Sequence, residues 1–219
     1  MKYKIIPPFN LHFLTPIYDF SLEIVGLGKS FKRTAISLSG LKKNDRLLDV
    51  GCATGTLLLE AKKLHSEIEA VGVDPDPKAL SIARKKLRRS NINANLVRTR
   101  AEKMPFKDNY FDVVISTLAF HHIPHKAKHE AMREIYRILT PGGVFLLADI
   151  GKPKNAIWKL ILKAEVRLIE KWEYVDDNLK GNIPIFMRRA GFKVSQVAKP
   201  YRGISFYLGR KSDYNKNAL

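Results

Sequence analysis

Leu47-Leu48-Asp49-Val50-Gly51-Cys52-Ala53-Thr54-Gly55 runs directly into Thr56-Leu57-Leu58-Leu59. An apolar run that ends in a loop with two glycines and restarts as a leucine-rich segment reads as a buried strand, a tight turn and a helix. In an open α/β sheet this is the place where a nucleotide-like ligand is received. Gly51 and Gly55 carry no Cβ, so the loop can turn sharply and its backbone can approach a ligand. A second apolar run, Ala70-Val71-Gly72-Val73-Asp74, ends on a carboxylate able to accept both hydroxyls of a ribose.

The loop residues discriminate among nucleotide folds. A dinucleotide fingerprint needs glycine at position 53 and glycine or alanine at 56, where this chain has Ala53 and Thr56. A P-loop needs Gly-Lys followed by Ser or Thr, and none follows Gly55. No lysine or arginine lies between 47 and 61 to meet a pyrophosphate, whereas Asp49 suits an ammonium group. A cationic ligand carrying a ribose is therefore expected.

Working outward, strands are predicted near 45–50, 69–74, 94–99, 111–117, 143–149, 192–198 and 203–210. Helices are predicted near 55–65, 76–89, 126–139 and 155–172. The alternation predicts an α/β fold: a doubly wound, mostly parallel seven-stranded sheet with crossover helices. Thr140-Pro141-Gly142-Gly143 is a helix stop placed before a strand. The stretch 1–40 reads as an N-terminal helical extension. The stretch 151–187 is too long for a simple connection and reads as a helical insertion before the sixth strand, a candidate substrate lid. The whole, 1–219, is read as one domain.

These residues resemble the class I S-adenosylmethionine-dependent methyltransferases, a Rossmann-like fold. The resemblance rests on the loop from Asp49 to Gly55, Asp74, Ala101-Glu102-Lys103-Met104-Pro105-Phe106, Phe111-Asp112-Val113-Val114, Phe120-His121-His122 and the run from Glu134 to Gly143. Within that superfamily the chain is most similar to the branch of ubiquinone and menaquinone biosynthesis methyltransferases, with Ile17-Tyr18-Asp19 and Ala190-Gly191-Phe192 in agreement. The resemblance implies S-adenosylmethionine as cofactor. Asp74 and Pro75 would lie at the ribose, Asp49 with Gly51, Cys52, Ala53 and Gly55 at the methionine end, and Ala101 and Glu102 at the adenine. Ser116 would lie at the end of the fourth strand, with Tyr18 and Phe120 walling in the methyl group. His121 or His122 would be the base. Two positions depart from the family pattern. Ala53 replaces the usual middle glycine and fits unless its backbone must take a positive φ. Arg100 replaces a common aspartate, so Glu102 or a backbone carbonyl would have to accept from the adenine amino group.

Bulk composition narrows the setting. A 219-residue chain with 45% hydrophobic and 27% charged residues can bury a full core. Its single cysteine excludes an internal disulfide and suits a reducing compartment, and Cys52 is expected in the loop for its small size. Pro7, Pro8, Pro16, Asp19 and Glu23 break the N-terminal apolar run, so neither a signal peptide nor a transmembrane span is expected and the protein is read as cytoplasmic. His121, His125 and His129 recur every four residues, but Pro124 interrupts them, and no metal is expected.

The charge is unusual. Lys and Arg number 39 against 21 acids, a net +18 with pI near 10.0, which favours an anionic partner. Arg84-Lys85-Lys86-Leu87-Arg88-Arg89 reads as a solvated helix end. In the predicted helix 155–172, Lys159, Lys163, Arg167 and Lys171 recur every four residues beside an apolar stripe, with Trp158 and Trp172 near the ends. That pattern fits peripheral contact with an anionic inner membrane surface or a lid over the site. The expected function is methyl transfer to a small-molecule or lipid-like acceptor. The alternatives are an RNA methyltransferase, permitted by the charge, and a non-catalytic scaffold, which the acids at 49 and 74 oppose. Against RNA, Ser116-Thr117-Leu118-Ala119-Phe120 lacks the Asn/Asp-Pro-Pro-aromatic motif of base N-methylating enzymes.

Overall fold

The computed structural model describes residues 22–153 and 172–213. Seven strands form one sheet: β1 (Arg46–Val50), β2 (Glu69–Asp74), β3 (Asn95–Arg98), β4 (Phe111–Thr117), β5 (Leu139–Ile150), β6 (Lys193–Gln196) and β7 (Ile204–Arg210). Their order is β3-β2-β1-β4-β5-β7-β6. The first five are parallel, and β7 runs antiparallel to both β5 and β6. The chain leaves β1 toward β2 on one side and returns to β4 on the other. A crevice therefore opens at the carboxyl ends of β1 and β4, where ligands of such sheets bind.

The helices are α1 (Lys29–Ser39), α2 (Thr56–Leu64), α3 (Pro77–Arg89), α4 (His125–Ile138), α5 (Trp172–Lys180) and α6 (Ile183–Arg189). Each of the longer helices buries one stripe. In α3 it is Ala79, Leu80, Ala83 and Leu87, and in α4 it is Ala127, Ala131, Met132, Ile135 and Ile138. Pro77 occupies the first turn of α3, and the Asp76 carboxylate caps it by accepting from the Lys78 amide at 2.8 Å. The fully buried leucines of β1, Leu47 and Leu48, point to opposite faces, into separate apolar layers.

The strands fall where the apolar runs place them, with one difference at β5. Leu139 already pairs with Phe111, and the ladder then resumes at Val113 with Val144. The turn-forming residues from Thr140 to Gly143 are thus bulged out of the strand, with Gly142 at φ 74°. Helix α1 lies in the expected N-terminal extension and α5 in the expected insertion, while α6 begins in it and runs two residues past its end. The predicted basic helix 155–172 falls outside the described residues except at its last position, where α5 begins. Tyr18 is also outside them. Among the described residues no helix is long and apolar enough to cross a membrane.

Candidate functional site

A cavity of about 500 Å³ occupies the crevice. The β1–α2 loop makes its floor through Val50, Gly51, Cys52, Ala53 and Thr54. The end of β2 contributes Asp74, Pro75 and Asp76, and the segment after β3 contributes Thr99, Arg100 and Ala101. The turn after β4 contributes Thr117, Leu118, Ala119, His122 and Ile123.

The loop geometry follows from its residues. Gly51 has φ 76°, and a Cβ there would lie 2.4 Å from the Ala119 Cβ, so the close approach of the two loops needs glycine. Ala53 takes φ 45°, the positive region that its side chain disfavours, and so does not escape the requirement for which the family pattern uses glycine. Its amide donates to Asp74 Oδ2 at 2.9 Å, while the Asp76 amide donates to Asp74 Oδ1 at 2.8 Å. Asp74 is thus locked by two backbone donors, each oxygen keeping a lone pair for a ligand.

Both loop acids are electrostatically poised. Burial pushes the Asp49 carboxyl up to about 7, with the Lys32 ammonium opposing and Asp74 adding to the rise. Burial likewise raises Asp74 to about 6 against the stabilising backbone donors. Asp49 is 1% exposed, and its Oδ1 has no hydrogen-bond donor among the described residues. A buried carboxylate oxygen one residue before the cavity floor is what a cationic ligand would satisfy. The Cys52 thiol is raised by burial and by the two nearby carboxylates, so it stays protonated and inert.

Two lysines reach the cavity that local sequence reading missed. Lys32 of α1 is 8% exposed and donates to Thr117 Oγ1 at 2.5 Å. Lys86 of α3 turns away from the solvated basic cluster and donates to Thr54 Oγ1 (3.1 Å) and Thr56 Oγ1 (2.7 Å). The loop without a basic residue of its own therefore receives two cations from other elements. Nothing local to either lysine marks it, since the threonines they reach belong to other elements.

Past β4 the chain makes a single 3₁₀ turn, Phe120–His122, and its three side chains diverge. Phe120, expected beside the methyl group, is fully buried among core side chains, its ring 6.0 Å from that of Phe145. His122 lines the cavity. His121 stands behind it, 6% exposed, its ring centroid 4.0 Å from that of His122 and its Nδ1 2.6 Å from Asp149 Oδ1. Of the other expected residues, Gly51, Cys52, Ala53, Asp74, Pro75 and Ala101 line the cavity, whereas Asp49, Gly55, Glu102 and Ser116 stand behind its wall. Ser116 spends its hydroxyl on the Val50 carbonyl at 2.7 Å, tying β4 to β1. Glu102 faces Arg100, its Oε1 3.8 Å from the guanidinium. His125 turns to Asp177 on α5 at 2.9 Å rather than to His121. Among the described residues no group of three or more His, Cys, Asp or Glu side chains is arranged to hold a metal.

Comparison with known proteins agrees with this fold. Residues 47–143 match the family described as methyltransferase domain. The chain is 35% identical over 151 residues to the ubiquinone/menaquinone biosynthesis C-methyltransferase of Azotobacter vinelandii, a match spanning 67% of this chain and 59% of that enzyme. A putative S-adenosyl-L-methionine-dependent methyltransferase of Methanococcus maripaludis superposes with TM-score 0.68 at 20% identity, covering 99% of each chain. The [4+2]-cyclase SpnF also superposes, with TM-score 0.65 at 18% identity, covering 84% of this chain and 81% of that one. One fold therefore carries more than one chemistry, and the reaction must be argued from the site.

Proposed function

Because residues 47–143 belong to the family of S-adenosylmethionine-dependent methyltransferase domains, we propose that the protein methylates a small, apolar-bodied acceptor of the quinol type, with His122 as its base. The observation that carries this reading is the placement of His122 on the wall of a cavity whose floor is the Gly51–Thr54 loop. The relatives named for ubiquinone and menaquinone biosynthesis supply the acceptor class, as does the apolar character of Leu118 and Ile123 beside the histidine.

The residues present fit the cofactor. Asp74 would take the ribose hydroxyls, Asp49 would answer the ammonium through its unsatisfied oxygen, and Lys32 would answer the carboxylate of the methionine end. Pro75 and Ala101 would flank the adenosine, and Gly51 and Ala53 would bring the loop backbone close. When bound, the cofactor supplies an activated methyl group on a sulfonium. The protein's own contribution is to align the acceptor in line with that group, exclude water, and remove a proton at the acceptor hydroxyl through a ring nitrogen of His122. Ionising a quinol hydroxyl enriches the ring carbons in electron density, which is what C-methylation needs; the ring carbon that takes the methyl then gives up its own proton, which restores the aromatic ring. Neither a covalent intermediate nor a metal is required by these steps.

The test is incubation of the protein with radiolabelled S-adenosylmethionine and a panel of short-chain prenylated benzo- and naphthoquinols, unmodified phospholipids and structured RNA. Label is expected in the quinols. Label in RNA alone, or in phospholipid alone, would overturn the acceptor assignment.

A further inference from the structure

The turn that carries His122 is held from behind by a side chain on another strand. Asp149, near the end of β5, is 2% exposed and receives four hydrogen bonds. Its Oδ2 accepts from the Phe120 amide at 2.7 Å and the His121 amide at 3.3 Å. Its Oδ1 accepts from the Ile150 amide at 2.7 Å and faces His121 Nδ1 at 2.6 Å. We propose that Asp149 is a positioning residue: by gripping the backbone and the His121 imidazole, it fixes the 3₁₀ turn so that the neighbouring ring of His122, tilted 43° to that of His121, faces the cavity. The proposal rests on the reading of His122 as the base.

Three features support it. First, a 3₁₀ turn of three residues has little intrinsic stability, because it fixes several dihedrals for few hydrogen bonds. The amides of Phe120 and His121 are held by Asp149 instead. Second, burial alone would raise the Asp149 carboxyl, but the charge and hydrogen bond of His121, with the backbone donors, hold it below the ordinary carboxylate range. An ionised carboxylate can only accept, so Nδ1 of His121 carries the proton and the ring cannot flip freely. Third, the turn is backed on its far side by α5, which packs against it. The buried ammonium of Lys128 on α4 anchors that helix by donating to the Tyr174 carbonyl and standing 3.7 Å from Asp177 Oδ2. The charged groups around the two rings are therefore Asp149 on β5, Lys128 and His125 on α4, Asp177 on α5, and Lys32 across the cavity.

The test is histidine NMR on ¹³Cε1-labelled wild type and Asp149→Asn, with S-adenosylhomocysteine as the probe. In the wild type, His121 should carry a proton on Nδ1, read from its ring-carbon shifts, and in the variant that tautomer preference should weaken. Adding S-adenosylhomocysteine should shift the His122 resonance in the wild type and leave it nearly unmoved in the variant, while calorimetric affinity for the probe changes by less than about twofold, because Asp149 touches no part of the cavity floor. A folded variant whose His122 still responds fully to the probe overturns the proposal. If Asp149→Asn does not fold, the wild type decides: a His121 with no proton on Nδ1 overturns it. None of these measurements reads methyl transfer. If no quinol is methylated and the His122 response still depends on Asp149, the acceptor assignment alone fails; if quinols are methylated and the response is independent of Asp149, only the positioning role fails.

Discussion

The wall of the cavity after β1 and β2 holds its carboxylates with backbone amides, whereas the wall after β4 holds its histidine with a carboxylate from a different strand. Asp74 is fixed by Ala53 and Asp76, close to it in the chain or brought close by the β1–β2 pairing. His121 is fixed by Asp149, 28 residues further on. The first construction depends little on which side chains surround it, because every residue but proline carries an amide. The second depends on particular residues meeting across the sheet. On the proposed reading the contrast divides the labour between a fixed donor side and an acceptor side that side-chain substitution can retune.

Substitutions on the two walls should therefore fail differently. His122→Ala is expected to lower kcat by roughly 10²–10⁴ with cofactor affinity nearly unchanged, read by single-turnover kinetics and calorimetry. A rate insensitive to this change would remove the base from the acceptor wall. Asp74→Ala should weaken S-adenosylmethionine binding by about 1.5–3 kcal/mol by calorimetry, since it deletes a charge-assisted acceptor and releases two amides. If affinity is unchanged, the donor side lies elsewhere.

The raised carboxyls of the donor wall predict a pH dependence with a definite sign. Burial lifts Asp49 to about 7 and Asp74 to about 6, whereas in the unfolded chain both titrate near ~3.9. Between those limits the ligand-free protein binds more protons than the unfolded chain, so these groups favour folding at about pH 4 and lose that contribution as pH rises to about 7. A cationic ligand favours the ionised acids. S-adenosylmethionine affinity should therefore rise with pH and level off above about 7, being about tenfold weaker at pH 6. Calorimetry across pH, with Asp49→Asn as the control that flattens the profile, checks this. The smallest expected effect is at Ala53. Replacing it with glycine relieves a positive φ and should change stability in denaturant by only about 0.5–1 kcal/mol, in the stabilising direction.

The same contrast explains what could be read from the chain. The donor wall is compressed into 49–55 and 74–76, next to apolar runs that declare their strands, and the sheet followed from the same runs. The acceptor wall was legible only as the triplet Phe120-His121-His122. In a 3₁₀ turn successive side chains point apart by about a third of a revolution. The triplet therefore divides into a core ring, a braced ring and a cavity ring, a division that period-two strand reading does not contain. Lys32 and Lys86 were unreadable for a related reason. Each sits on an amphipathic helix where lysine normally marks solvent, and the threonine that recruits it lies 85 or 32 residues away. Asp149 carries no local signal at all, being one polar residue at the end of the apolar strand Val144–Ile150.

Cys52, the chain's one cysteine, lies on the cavity floor, 5% exposed, with its thiol pushed up by burial. Only a thiolate reacts with an alkylating reagent, and this one forms chiefly when the floor opens to water. Alkylation of Cys52 by iodoacetamide is therefore expected to be slow, and slower still when a ligand sits above the sulfur.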